Sequence, residues 1–241
     1  VADAQLFPSL EQAKADSDVS FTAQAGLPVS ALTTSEPPAP AVLSAKGLRE
    51  KILESFERNS TFPEDASQEV RESVPRIVRG MLSGISLDKL QRIAGCMKGL
   101  IVVPSGTSPT ALAPFAGLTP DKVSELDREW RYLGGCAYRF PDDSFMVLIK
   151  ERHGGWISES AVIHEWGHIV HLCGLTGSQQ KLVDEIYTEQ QKGGAYGNGP
   201  FEYFAQNTTR WFQNGSQWVK DDAKLYRFLE AVYGSPRQLD Q

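Results

Sequence analysis

Residues 158–174 read SESAVIHEWGHIVHLCG, and within them His164, Glu165, Trp166, Gly167 and His168 make an H-E-x-x-H pattern. On a helix, positions four apart lie on one face, one turn from each other. Two imidazoles so placed can share one Zn²⁺, with metal–nitrogen bonds of about 2.0–2.1 Å. Glu165, beside His164, is placed to reach a water on such a metal and act as general base. The flanks fit a buried helix. Ala161, Val162, Ile163, Trp166, Ile169, Val170 and Leu172 make most of its sides apolar. Ser158 is the expected N-cap and Gly174 the expected stop. The chain has only 4 histidines, and three of them fall in 164–171. A polar trio amid such apolar flanks is costly to bury unless something pairs with it.

The third of these, His171, is a full two turns from His164, about 10.5 Å along a straight helix. That is too far for easy shared coordination. Metzincins reach further with H-E-x-x-H-x-x-G-x-x-H, but the Gly and last His positions of that pattern hold His171 and Gly174 here. His171 is therefore expected to be packed, or to support a ligand, rather than to bind the metal.

Working outward, the 46–58 stretch spaces Leu48, Ile52, Leu53 and Phe56 as a helix. A second helix is expected over 66–82, kinked or broken at Pro75, and a third over 86–96. Gly99 to Val103 reads as a strand, 104–118 as loop, and Thr119-Pro120-Asp121 as the opening of a helix ending near Leu133. Cys136–Phe140 and Ser144–Lys150 read as strands joined by a tight turn at Pro141-Asp142-Asp143. After the central helix come a helix over 177–191, a glycine-rich loop over 192–200, an aromatic helix from Phe201 to Phe212 and a last helix from about Ser216 to Val232. The fold class is therefore α+β, mostly helical with a small mixed sheet. A flexible leader or pro-segment is expected over 1–45, rich in Ala, Ser, Pro and Thr, with one domain over 46–241. That domain divides into a helical part over 46–98 and a sheet and active-site part over 99–241.

A sheet edge beside the metal would bind an extended peptide by strand addition. Phe145, Met146, Val147 and Leu148 are the candidate segment, with an interior strand as the alternative.

A catalytic zinc takes three protein ligands and keeps one open position. Glu202, Glu185 and Glu189 are the candidates for the third. Glu202 is preferred because it heads an aromatic helix that must be buried, and a buried carboxylate needs a cationic partner. Glu185 and Glu189 lie on an amphipathic helix and should face solvent.

With HEWGH at 164–168 and AYGNGPFEYFAQ at 195–206, the chain resembles the zinc peptidases related to anthrax lethal factor and the Pro-Pro endopeptidases. The resemblance covers about 144–213 and is carried by those two motifs. It implies a zincin-like metallopeptidase fold, Zn²⁺ as cofactor, Glu202 as third ligand and Tyr196 as the catalytic tyrosine, with Tyr187 and Tyr203 as alternatives. It also implies a protein or peptide substrate cut by a metal-activated water, with a preference for proline-containing sites. Gln206 stands where that family's pattern has a second acidic residue. A scaffold without turnover and a host-directed effector or toxin domain are the competing expectations.

Composition bounds the rest. The chain has 241 residues, 41% hydrophobic and 22% charged, with net charge −6 and no basic run, which argues against nucleic acid as a partner. No apolar run is long enough for a membrane span. A monomer is expected. Of Cys96, Cys136 and Cys173, one pair can bond, and Cys96 with Cys136 is the pairing suggested by their places beside strands. That pairing and the N-x-S/T triplets at Asn59, Asn207 and Asn214 favour secretion.

Overall fold

The computed structural model describes residues 44–131, 133–191, 199–213 and 222–235. The expected leader (up to residue 43), Tyr196 and Asn214 lie outside the described residues. The elements run α1 (Ala45–Arg58), β1 (Ser60–Thr61), α2 (Gln68–Leu82), α3 (Leu87–Cys96), β2 (Met97–Val103), α4 (Pro120–Trp130), β3 (Gly135–Arg139), β4 (Phe145–Lys150), α5 (Glu159–Ile169), α6 (Gly177–Gln191), α7 (Gly199–Gln213) and α8 (Ala223–Tyr233). Two short 3₁₀ turns, Pro109–Ala111 and Ala113–Phe115, interrupt the expected loop, and a π-helical turn, Val170–Gly174, follows α5. The architecture is thus α+β, mostly helical with a small mixed sheet, as the periodicities predict. No helix among the described residues is long and apolar enough to cross a membrane.

Side-chain hydroxyls begin several helices. Ser44, Ser67 and Ser158 accept from the backbone N–H of Gly47, Val70 and Ala161 at the starts of α1, α2 and α5. Pro75 sits inside α2, which continues past it as a single helix rather than dividing. The cost of its missing N–H is offset by burial of Val70, Val74, Ile77, Val78 and Met81 along one face.

The sheet has the order β1-β2-β4-β3, with β1, β2 and β4 parallel and β3 antiparallel to β4. β4 is therefore an interior strand, paired to β2 on one side and β3 on the other. Its side chains alternate between two cores. Phe145, Val147 and Ile149 join the large core with the helices, while Met146 and Leu148 join a smaller one with Phe115, Leu126, Trp130 and Phe140. That double burial explains why this segment reads as an unbroken apolar run. It also corrects the strand-addition expectation for Phe145, Met146, Val147 and Leu148: the backbone of β4 is already spent on both sides, and these side chains are core.

Among the described residues, the edge of the sheet beyond β4 belongs to β3, and no further strand pairs with it. Lys150 N–H donates to Gly134 C=O at 2.9 Å and Phe140 N–H to Ser144 C=O at 2.8 Å. Even-numbered positions of β3 thus pair inward, and Gly135, Ala137 and Arg139 turn their backbone groups to the open edge.

The disulfide joins Cys96, at the end of α3, to Cys173, in the π-helical turn, with Cα atoms 6.4 Å apart. This corrects the Cys96–Cys136 expectation. Cys96 packs against the large core, whereas Cys136 points through the sheet into the small one. Cys136 stays a buried free thiol, and burial pushes its pKa well up.

Candidate metal centre

Helix α5 is the centre of the large core, with Val162, Ile163, Glu165, Trp166, Gly167, His168 and Ile169 buried. Its spacing sets His164 and His168 one turn apart, their Nε2 atoms 3.1 Å from each other. Helix α7 packs across this face. A Cβ on Gly167 would lie 3.0 Å from Ala205 Cα and 3.2 Å from Thr208 Cβ, so the closeness of the two helices depends on this glycine. Farther along, the side chains of Ser160 and Gln213 hydrogen-bond to each other, so the helices run antiparallel.

This packing delivers Glu202, in the first turn of α7, to the histidines. Its Oε2 is 3.2 Å from His164 Nε2 and its Oε1 is 3.3 Å from His168 Nε2. One ligand atom from each of the three lies within 4.8 Å of the others, so they form a group able to hold a metal ion. Glu185 and Glu189 are exposed on α6, the latter paired with Lys224 at 2.7 Å.

The electrostatics follow from burial and proximity. Burial opposes the ionised Glu202, but hydrogen bonds from His164 and His168 outweigh it and hold the carboxyl far below the usual range. Burial also opposes protonation of His164, and the carboxylates of Glu202 and Glu165 reverse that and raise its pKa. For His168, deeper in the core, burial prevails and the pKa falls. His168 stacks on Phe201 with ring centroids 3.8 Å apart, and its Nδ1 is buried with no hydrogen-bond partner.

Glu165 is 7% exposed and presses against β3. Burial raises its pKa to about 7, with the charge of Glu202 adding to the rise, while His164 and the N–H of Ala137 oppose it. Gly135 makes room for it, since a Cβ there would lie 2.7 Å from Glu165 Cγ.

His171 is packed, as the spacing predicts. Its ring lies against Phe204 and Phe201 with centroids 5.2 and 5.7 Å away, and neither nitrogen has a hydrogen-bond partner. Burial lowers its pKa to about 4.

Among the tyrosines, Tyr203 is buried in the large core at 2% exposure. The Tyr187 hydroxyl accepts from Gly199 N–H at 3.0 Å, at the start of the helix that carries Glu202. It thus positions α7.

A cleft of about 490 Å³ opens beside His164 and Glu165. Gly134 and Gly135 form one wall, Ser158, Ser160 and Ala161 a second, and Gln206, Thr209 and Arg210 a third. Gly135, Gly167 and Arg210 are not singled out by the sequence reading. Gly167 lies inside the motif, and its spacing from the histidines could have marked a close helix crossing; the others depend on tertiary packing. No protein-family model matches the chain, and no curated protein and no solved structure matches it either.

Proposed function

We propose that the protein is a zinc-dependent endopeptidase. The observation that carries this reading is the convergence of His164, His168 and Glu202 beside a buried Glu165 at an open cleft. The donor set fits zinc: two imidazole nitrogens and a carboxylate oxygen, with separations of 3.1–3.3 Å. Ligand atoms of a tetrahedral ion with bonds of about 2.0–2.1 Å lie about 3.3–3.4 Å from one another. Zinc held there supplies a Lewis acid and brings the pKa of a water towards about 7.

The protein's own residues do the rest. Glu165 takes the proton of the attacking water and passes it to the leaving amine nitrogen. Its burial makes it a stronger base than an ordinary carboxylate. The outer edge of β3 runs past Glu165, which takes the N–H of Ala137, and its remaining backbone groups can align an extended peptide. Tyr196 keeps the oxyanion-stabilising role that the resemblance implies, as does the preference for proline-containing sites. The Cys96–Cys173 disulfide supports secretion, because such bonds persist in oxidising compartments.

The test is hydrolysis of a peptide library with and without chelator, alongside metal content. Glu165→Ala should retain about one zinc per chain and lose at least about 10²-fold in kcat/KM. Purified protein that neither contains nor takes up a transition metal would end the proposal, as would undiminished cleavage by Glu165→Ala.

A further inference from the structure

The cleft beside Glu165 carries a charge pattern that the peptidase reading does not use. Among the described residues lining it, Glu165 is the one acid and Arg210 the one permanently charged base. Arg210 lies eight residues beyond Glu202, about 12 Å along α7. Its Nη1 donates to Asn207 Oδ1 at 3.3 Å, which holds the guanidinium against the helix.

A second guanidinium stands at the rim. Arg152 follows β4 in a loop closed by its N–H donating to Trp156 C=O at 2.8 Å. Gly154 and Gly155, with φ of 96° and 73°, supply the turn. The Arg152 side chain lies over the Trp156 ring, 5.4 Å from its centroid, and Trp156 is half exposed. An arginine stacked over an aromatic face loses rotamer freedom while the N–H donors in its own guanidinium plane are not used by the ring. Its Nη2 is 3.8 Å from where a Cβ on Gly134, a lining residue of the cleft, would sit. No ion pair joins Arg152 to a carboxylate among the described residues.

Arg210 thus lines the cleft, and the Arg152 guanidinium stands beside Gly134, another of its lining residues, in a chain whose net charge is −6. Extended peptide advances about 3.4 Å per residue, so 12 Å corresponds to about three residues, less with the reach of the side chains. We infer that the cleft holds a carboxylate subsite, where Arg210, with Arg152 at the rim, selects peptides bearing a carboxylate within about three residues of the scissile bond. The inference rests on the peptidase reading and names its substrate class. The carboxylate comes either from an Asp or Glu side chain or from the chain terminus, and guanidinium recognises both by the same paired N–H donors.

The test uses the full chain loaded with zinc and internally quenched peptides in Glu/Gln and Asp/Asn pairs at each position within three residues of the cut. Each is made with a free and with an amidated C-terminus. The acidic member should be favoured by about tenfold or more in kcat/KM, as one charge-assisted hydrogen bond allows. A preference that follows the side chain assigns the subsite to acidic residues; one that vanishes on amidation assigns it to the terminus. Arg210→Gln and Arg152→Gln should each shrink the acidic-to-neutral ratio, and Arg210→Lys should restore part of it. If Arg210→Gln fails to fold, the exposed Arg152→Gln decides. Equal cleavage of paired peptides by the wild type, or a ratio unchanged in both Gln variants, overturns the inference. Binding of the same labelled peptides, followed by fluorescence anisotropy, needs no turnover. Acid-selective binding without cleavage would remove the peptidase reading and leave the subsite, and cleavage without acid selectivity would do the reverse.

Discussion

Gly135 and Glu165 stand so close that a Cβ on the glycine would lie 2.7 Å from Glu165 Cγ and 2.9 Å from Leu148 C=O. The proposed base is thus set by a strand without a side chain at that point. Neither neighbour can move freely, because Glu165 is buried in the core-side helix and Leu148 is in an interior strand. Gly135→Ala should therefore push Glu165 out of line, lowering kcat by about 10²-fold, the scale of a misplaced catalytic group. Stability should fall by about 1–3 kcal/mol, the usual cost of overpacking. Zinc content should not change, and measuring it beside the rate separates this effect from loss of the metal.

Gly167→Ala should act on the metal instead. The added methyl meets Ala205 Cα at 3.0 Å and Thr208 Cβ at 3.2 Å. Parting α5 from α7 moves Glu202 away from the two histidines, so zinc affinity should fall by tenfold or more. Competition with a chromophoric chelator measures it.

His171 predicts a pH dependence of stability. Its folded pKa is lowered to about 4 by burial, against about 6.5 in an unfolded chain. Between those values the unfolded chain binds more protons, so stability rises with pH across the window. The contribution is complete above about 6.5 and is lost as pH falls towards 4. The full loss is about 3 kcal/mol at about 1.4 kcal/mol per pKa unit. Denaturant unfolding of metal-free protein from pH 4 to 7 should show this slope, and His171→Leu should flatten it.

The Cys96–Cys173 bridge closes a loop of 77 residues. On the chain-entropy model such a closure stabilises by roughly 4 kcal/mol. Replacing both cysteines by alanine should lower the denaturant midpoint and steepen the transition, because the unfolded chain without the cross-link exposes more surface.

How much of this could be read from residues alone differs from element to element. The histidine pair was legible because its geometry is local: four residues make a helical turn wherever the helix lies. Glu202 was legible through a cost, since a carboxylate on a helix as aromatic as Phe201–Phe212 has to be paid for by a partner. β4 was legible as a strand but not as an interior one. An apolar run such as Phe145–Ile149 is compatible with either place until its neighbours are known. The cysteine pairing depended on which face of the sheet each thiol joins, a matter of register. The approach of Arg152 to the cleft depended on a loop closing over Trp156, and that of Arg210 on the antiparallel crossing of α5 and α7. None of these leaves a periodic trace.

Cys136 is the one cysteine outside the disulfide, and it lies inside the smaller core on β3. The native protein should therefore be silent to thiol-reactive dyes. Any labelling counts the moments when that strand peels from β4, which makes this single sulfur a built-in clock for breathing of the sheet beside the cleft.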